Sequence, residues 1–342
     1  MKPSELASLL AHTIPAGLPI LVVGAPGVGK SQIVEQAAQA AGAHLIVSHP
    51  AVSDPTDVKG LPWVASDQHS ARFLPFGDLS QALAATVQTV WFLDDLGQAP
   101  ASVQASFMQL LLARRVNEHV LPSCVTFVAA TNRRTDRANV GGMLEPVKSR
   151  FGAIVDLDPD LDEWCTWAMT HDISPHIIAF LRFRPELLHN FSPTADLTNS
   201  PIPRTWAHAS KFMGLSLSPS VLRQAIRGAI GEGATVELFA FLEVYNELPD
   251  LDEIIKKPTG CGLLPKKLAT LYAVVTGLAV KATPATLAPI VRYAERLAED
   301  GRGEFAALLL RDIIRRTPAL MSAPAFIAVL SGPLGKLIEG RR

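Results

Sequence analysis

Three cysteines in 342 residues, Cys124, Cys165 and Cys261, are too few and too far apart for a disulfide framework or a thiolate metal cluster. Free core thiols fit them better. The nine histidines show no HExxH or other metal-ligand spacing, and His171 and His176, five apart, would not share a helix face. Charge of one sign is missing too. Lys and Arg number 31 against 32 Asp and Glu, a net charge of −1, which argues against broad electrostatic binding to nucleic acid while leaving room for a local basic patch. The longest apolar run, LATLYAVVTGLAV (268–280), falls short of the roughly 20 residues needed to cross a bilayer. The opening MKPSELASLLAHTIPAG carries Glu5 and His12 where a signal peptide needs an apolar stretch. These absences lead to the expectation of a cytoplasmic protein. No internal repeat, low-complexity segment or Ser-His-Asp or Cys-His nucleophile arrangement stands out.

What is present is a soluble globular composition, 48% hydrophobic and 18% charged, in a chain long enough for two or three domains. After a short helical opening around residues 4–12, PILVV runs into a glycine-rich loop, and SQIVEQAAQAAG has helical spacing that stops at Gly42. HLIVSH, VWFLDD, CVTFVAATN and AIVDLD read as further strands. Strands this apolar, alternating with helices, predict a parallel sheet covered on both faces, an α/β fold. Between the second and third strands, LPWV and ARFLPF flank a polar SDQHS and predict a hairpin at about 58–76, whose Trp63, Phe73 and Phe76 suggest that it packs on something. After Asp158 the pattern is helical, broken by a Pro- and Gly-rich stretch, ELPDLDEIIKKPTGCGLLP, that reads as a linker. Trp164, Trp167, Phe180 and Phe183 have core spacing, and Arg302, Arg311, Arg315 and Arg316 read as a solvated face.

GAPGVGKS, from Gly24 through Ala25, Pro26, Gly27, Val28, Gly29 and Lys30 to Ser31, matches G-x-x-x-x-G-K-[ST], with Gln32 following in the helix. Such a loop turns its amides toward phosphate oxygens at the positive end of a helix. Lys30 would bridge β- and γ-phosphates and the Ser31 hydroxyl would ligate Mg2+. A tight Gly-Pro turn with an exposed lysine is the bland alternative, which the strand–loop–helix setting disfavours. The absence of an N-K-x-D signature favours ATP over GTP. VWFLDD ends a second strand in two acids: Asp94 would hold Mg2+ opposite Ser31, and Asp95 would orient or deprotonate the attacking water. A helix cap or turn is the alternative use of that pair.

Together these segments resemble the AAA+ ATPases, and within them the MoxR-like group, over about residues 18–210. The resemblance implies a P-loop NTPase core over 1–158 with an inserted hairpin and a helical lid over 159–248; the residue pattern itself adds a linker and C-terminal helical region over 249–342. It makes Asn132, in TFVAATN, the sensor 1 residue, and Arg150, in MLEPVKSRF, the arginine that acts on a neighbouring subunit's nucleotide. Arg204, in SPIPRTW, becomes the sensor 2 residue. Arg133, Arg134 and Arg137 compete with Arg150, and a salt bridge is the plain alternative for each arginine. One departure stands out: the family's Walker B strand usually ends in Asp-Glu, and Asp95 is one methylene shorter.

The resemblance further implies ATP hydrolysis by a self-assembled ring, hexameric in the family, coupled to remodelling of another protein. A separate von Willebrand A-type protein is the partner this group commonly uses. Two rival functions remain open: a nucleotide-gated scaffold that barely hydrolyses, favoured by Asp95, and a nucleic-acid motor or loader, disfavoured by the charge balance.

Overall fold

The computed structural model describes residues 1–342 except 65–68, 137–141, 195, 247–249, 261, 263 and 339–342. The chain divides into two compact units, Met1–Asp160 with Ser192–Ala195, and Leu161–Phe191 with Asp196–Arg342. Cys261 and Arg137 lie outside the described residues, while Cys124 and Cys165 are free thiols.

In the first unit α1 (Pro3–Thr13) leads to β1 (Ile20–Gly24), α2 (Lys30–Ala40), β2 (His44–Ser48) and α3 (Pro55–Lys59). The hairpin β3 (Leu61–Val64) and β4 (Ala71–Leu74) precedes α4 (Gly77–Leu83), β5 (Thr89–Leu93) and α5 (Ala101–Ala113). A small ribbon, β6 (Arg115–Val116) and β7 (His119–Val120), precedes β8 (Val125–Thr131), α6 (Glu145–Lys148) and β9 (Ala153–Leu157). Five strands form one sheet in the order β2-β5-β8-β1-β9. Every pairing in it is parallel. The α/β reading from the apolar strands is therefore correct: this is a P-loop fold with a parallel sheet between helical layers.

The period of two along the strands builds those layers. Trp91 and Leu93 of β5, with Leu21, Phe127 and Ala129, join one core with Leu79 of α4 and Val103, Phe107 and Leu110 of α5. Their alternates, Val90 and Phe92, with Ile20, Val22, Val128 and Ala130, join a second core with Leu6 and Leu10 of α1 and Val34 and Ala37 of α2. All residues of β5 and β8 are buried because helices cover both faces.

The hairpin pairs Leu61 with Leu74 and Trp63 with Arg72. Trp63 does not pack: it is 64% exposed. The hairpin is tied down by polar bonds to the ribbon loop instead. Glu118 accepts from the Phe73 amide at 2.9 Å, and a His119 ring nitrogen lies 2.7 Å from the Phe73 carbonyl.

The second unit is helical. It runs through α7 (Leu161–Thr170), α8 (Pro175–Phe183), α9 (Pro203–Met213), α10 (Pro219–Ile230), α11 (Glu232–Asn246) and α12 (Leu251–Lys256). It continues through α13 (Leu268–Val280), α14 (Leu287–Glu299), α15 (Gly303–Arg316), α16 (Pro324–Leu330) and α17 (Pro333–Ile338). The stretch read as a linker contains α12, which Asp250 caps by accepting from the Asp252 amide, and Ile254 enters the core. Helices on both sides of residue 248 share the unit. Arg182 of α8 grips Asp312 of α15 with two hydrogen bonds, at 2.5 and 2.8 Å, both side chains being buried. Burial works against the Arg182 charge, and the Asp312 bonds more than offset it, raising the guanidinium pKa.

The expected solvated arginine face is not there. Arg311 donates to the Leu337 and Ile338 carbonyls, tying down the last helix, and Arg302 donates to the Pro265 carbonyl just ahead of α13. Arg316 is half-buried, and burial lowers its pKa. Among the described residues no helix is long and apolar enough to cross a membrane.

Candidate active site

The phosphate loop is the connection from β1 to α2. Two glycines in it are needed for different reasons. At Gly29, which caps α2 with φ +96°, a side chain would meet open space, so the requirement is the left-handed backbone alone. At Gly24 a Cβ would stand 3.0 Å from the Leu157 carbonyl, so the requirement is the close approach of β9. The loop's first helical residue, Lys30, is not the exposed lysine of a bland turn. It is 7% exposed, and its amino group donates to the Gly24 and Ala25 carbonyls at 2.8 and 3.0 Å and to Asn132 Oδ1 at 2.7 Å. Gln32 lies exposed on α2.

Asn132 reaches Lys30 because β8 lies beside β1 in the sheet, and their ends are in register at Val23 and Thr131. On its other side β8 pairs with β5, which brings in the two acids. Asp94, just past β5, accepts from the Ser31 hydroxyl at 2.7 Å through Oδ2, and its amide donates to the Ser48 carbonyl at 2.9 Å. Three neighbouring strand ends therefore place Lys30, Ser31, Asp94 and Asn132 in one polar cluster.

Asp95 takes a different path. Its φ of +58° is left-handed, uncommon for a residue with a side chain and tolerated best by Asp and Asn. That turn starts a single 3-10 turn, Leu96–Gln98, with the Gln98 amide donating to the Asp95 carbonyl at 3.0 Å. The Gln98 side chain closes the same turn, its Nε2 donating to Asp95 Oδ1 at 2.7 Å. Asn132 Nδ2 lies farther from that oxygen, at 3.4 Å. The Thr131 hydroxyl stands 3.4 Å from Gln98 Oε1. The motif reading missed Gln98 and Thr131. A glutamine three residues after an acid at a turn was the available signal, since that spacing lets its amide reach back.

The arginines are held in different ways. Arg150, after α6, donates through Nε to the Met108 carbonyl at 2.9 Å and through Nη1 to the Pro146 carbonyl. Arg133 pairs with Asp158 at 2.6 Å and Asp156 at 3.6 Å, which ties it to β9 of its own sheet. Arg134 is exposed in the next turn. Arg204 is exposed on the first turn of α9, in the second unit.

No curated protein sequence matches the chain. Among solved structures, the RuvB Holliday junction branch migration motor of Thermotoga maritima shares 17% identity over 81% of this chain and 80% of its own, with a TM-score of 0.42. NtrX of Brucella abortus in complex with ADP shares 15% over 86% of this chain and 65% of its own, with a TM-score of 0.43. Neither likeness bears on substrate or partner. Residues 19–151, from the strand before the phosphate loop to just past Arg150, match the AAA domain of the dynein-related subfamily. With the parallel sheet and the polar cluster described above, that stretch is similar to an AAA domain in both sequence and local layout.

Proposed function

We propose that the protein hydrolyses ATP with Mg2+ as a self-assembled AAA+ ring, hexameric and MoxR-like, and uses the cycle to remodel a partner protein. The observation that carries the reading is the pair of 2.7 Å contacts, Lys30 to Asn132 and Ser31 to Asp94, which join the phosphate loop to the ends of the next two strands of the sheet. The Ser31 hydroxyl and the Asp94 carboxylate are hard oxygen donors of the kind magnesium takes alongside waters and phosphate oxygens. Among the described residues no cluster of three His, Cys, Asp or Glu suggests a different metal. When bound, magnesium would neutralise charge on the phosphates.

On ATP binding, Lys30 exchanges neutral carbonyl and amide oxygens for β- and γ-phosphate oxygens, a stronger charge-assisted set of bonds. Asn132, released from Lys30, and Asp95 then hold the water. Its oxygen attacks the γ-phosphorus, the bond to the β–γ bridging oxygen breaks, and Asp95 accepts the water's proton. Arg150 serves the adjacent subunit's γ-phosphate, and Arg204 is the sensor 2 arginine of this reading. The ring takes a separate von Willebrand A-type protein as a partner in this reading. A second reading, a nucleotide-gated scaffold, draws on the short reach of Asp95.

Mixing subunits tests the ring. Arg150→Ala and Asp94→Ala should each lose ATPase activity, and a titration of one against the other should restore part of it. A mixture that stays silent, or an Arg150→Ala variant with wild-type turnover, would remove the trans role. Single-turnover hydrolysis separates an ATPase from a scaffold.

A further inference from the structure

We propose that Gln98 is the positioning residue for Asp95, an element that makes this aspartate serviceable where the resembling family usually has a longer glutamate. The inference rests on the hydrolytic reading above. It begins with reach. Asp95 has one methylene between backbone and carboxylate, so where its oxygens lie depends on the backbone and on whatever holds them. The backbone is set in the left-handed region at φ +58°, and the main-chain bond from Gln98 to Asp95 closes the turn at 3.0 Å. The Gln98 amide then donates to one carboxylate oxygen, Oδ1, at 2.7 Å.

An amide can turn either end toward its neighbour, and the Asp95 carboxylate, which when ionised only accepts, takes the NH2 end. The Gln98 oxygen is left toward the Thr131 hydroxyl, which lies 3.4 Å from it and 3.2 Å from the Asn132 carbonyl at the end of β8. The same Oδ1 is 3.4 Å from Asn132 Nδ2, so Gln98 and Asn132 approach a single oxygen. Oδ2 of Asp95 is thereby left to accept from a water. Gln98 does not touch substrate in this arrangement; it acts through Asp95.

The test uses the full-length protein, with labelled phosphate release from ATP in single and multiple turnover, a fluorescent ATP analogue for affinity, and thermal melting for the fold. Gln98→Ala should lower kcat about ten- to a hundredfold, the scale on which a small misplacement of a reacting group is felt, with KM and analogue affinity unchanged. Gln98→Glu, an isostere that replaces the donor with a second carboxylate, should lower kcat at least as far while melting like wild type. In an Asp95→Asn background, adding Gln98→Ala should cost nothing further, because the two side chains act as one unit. A Gln98→Ala or Gln98→Glu enzyme with wild-type kcat overturns the proposal. So does an equal loss in both backgrounds, or a loss that appears as weakened nucleotide affinity. Wild type that binds the analogue yet releases no phosphate in single turnover defeats the hydrolytic reading itself, an outcome distinct from failure of the Gln98 role.

Discussion

Lys30 in the first unit and Arg182 in the second are equally hidden, each 7% exposed, yet they face different oxygens. Lys30 donates to two main-chain carbonyls and a side-chain amide, all neutral. Arg182 is matched to the two oxygens of Asp312, a carboxylate with no exposed surface. Neutral oxygens at a loop can be given up when a phosphate offers charged ones. A buried two-pronged ion pair has no better offer, because separating it leaves a desolvated charge. The first arrangement suits exchange, as the proposed nucleotide site requires, and the second suits permanence, a fixed tie between α8 and α15.

The largest effect should come from Lys30→Ala. Losing charge-assisted bonds to phosphate should weaken ATP binding by about a hundredfold or more, measured by calorimetric titration, with a smaller fall in melting temperature because the Gly24 and Ala25 carbonyls lose a buried donor. Undiminished affinity would break the comparison on its exchangeable side. Asp312→Ala should do the reverse. It should destabilise the protein by about 3–5 kcal/mol, read from the urea midpoint, and leave nucleotide affinity alone. The double replacement Arg182→Met with Asp312→Leu should recover most of that loss, because no unpaired charge remains. If Asp312→Ala weakened ATP binding as much as stability, the division between the two buried cations would fall.

A smaller effect concerns Cys165, packed between α7 and its neighbours. Burial pushes its thiol from 9.0 up to about 12, with Arg182 only partly opposing the shift. The folded form keeps the proton after the unfolded chain has lost it. The stability this provides is full below about pH 9 and falls by about 1.4 kcal/mol per pH unit as pH rises toward 12. Urea midpoints measured upward from pH 9 should therefore fall more steeply for wild type than for Cys165→Ala. Parallel slopes would mean that the thiol is not held in its neutral form.

Legibility in the sequence followed distance along the chain. The phosphate loop and its flanking strand and helix occupy one contiguous stretch, so the pattern of glycines and apolar residues was enough to read it. Asp94 was legible because it ends an apolar run. Gln98 was not, because its meaning depends on a left-handed backbone at Asp95 that no spacing rule announces. Arg311 and Arg302 looked solvated for a related reason. A charged side chain on a helix reads as surface until the returning chain brings carbonyls such as those of Leu337, Ile338 and Pro265 within reach.

Hydrophobic period, loop glycines and turn residues act over a few positions, and they alone set which segments become strands, which become helices and where phosphate can be cradled. The neighbours of each strand are another matter. The order β2-β5-β8-β1-β9 follows from packing all the apolar strands between two helical layers at once. That order carries Asn132 to Lys30 across 102 positions, Asp94 to Ser31 across 63 and Thr131 to Gln98 across 33. In the second unit, helix packing brings Asp312 to Arg182 across 130. Each residue type is written locally. Its partner is chosen by the burial of apolar surface far from either of them, because that is the term large enough to fix where the strand ends and helix faces finally stand.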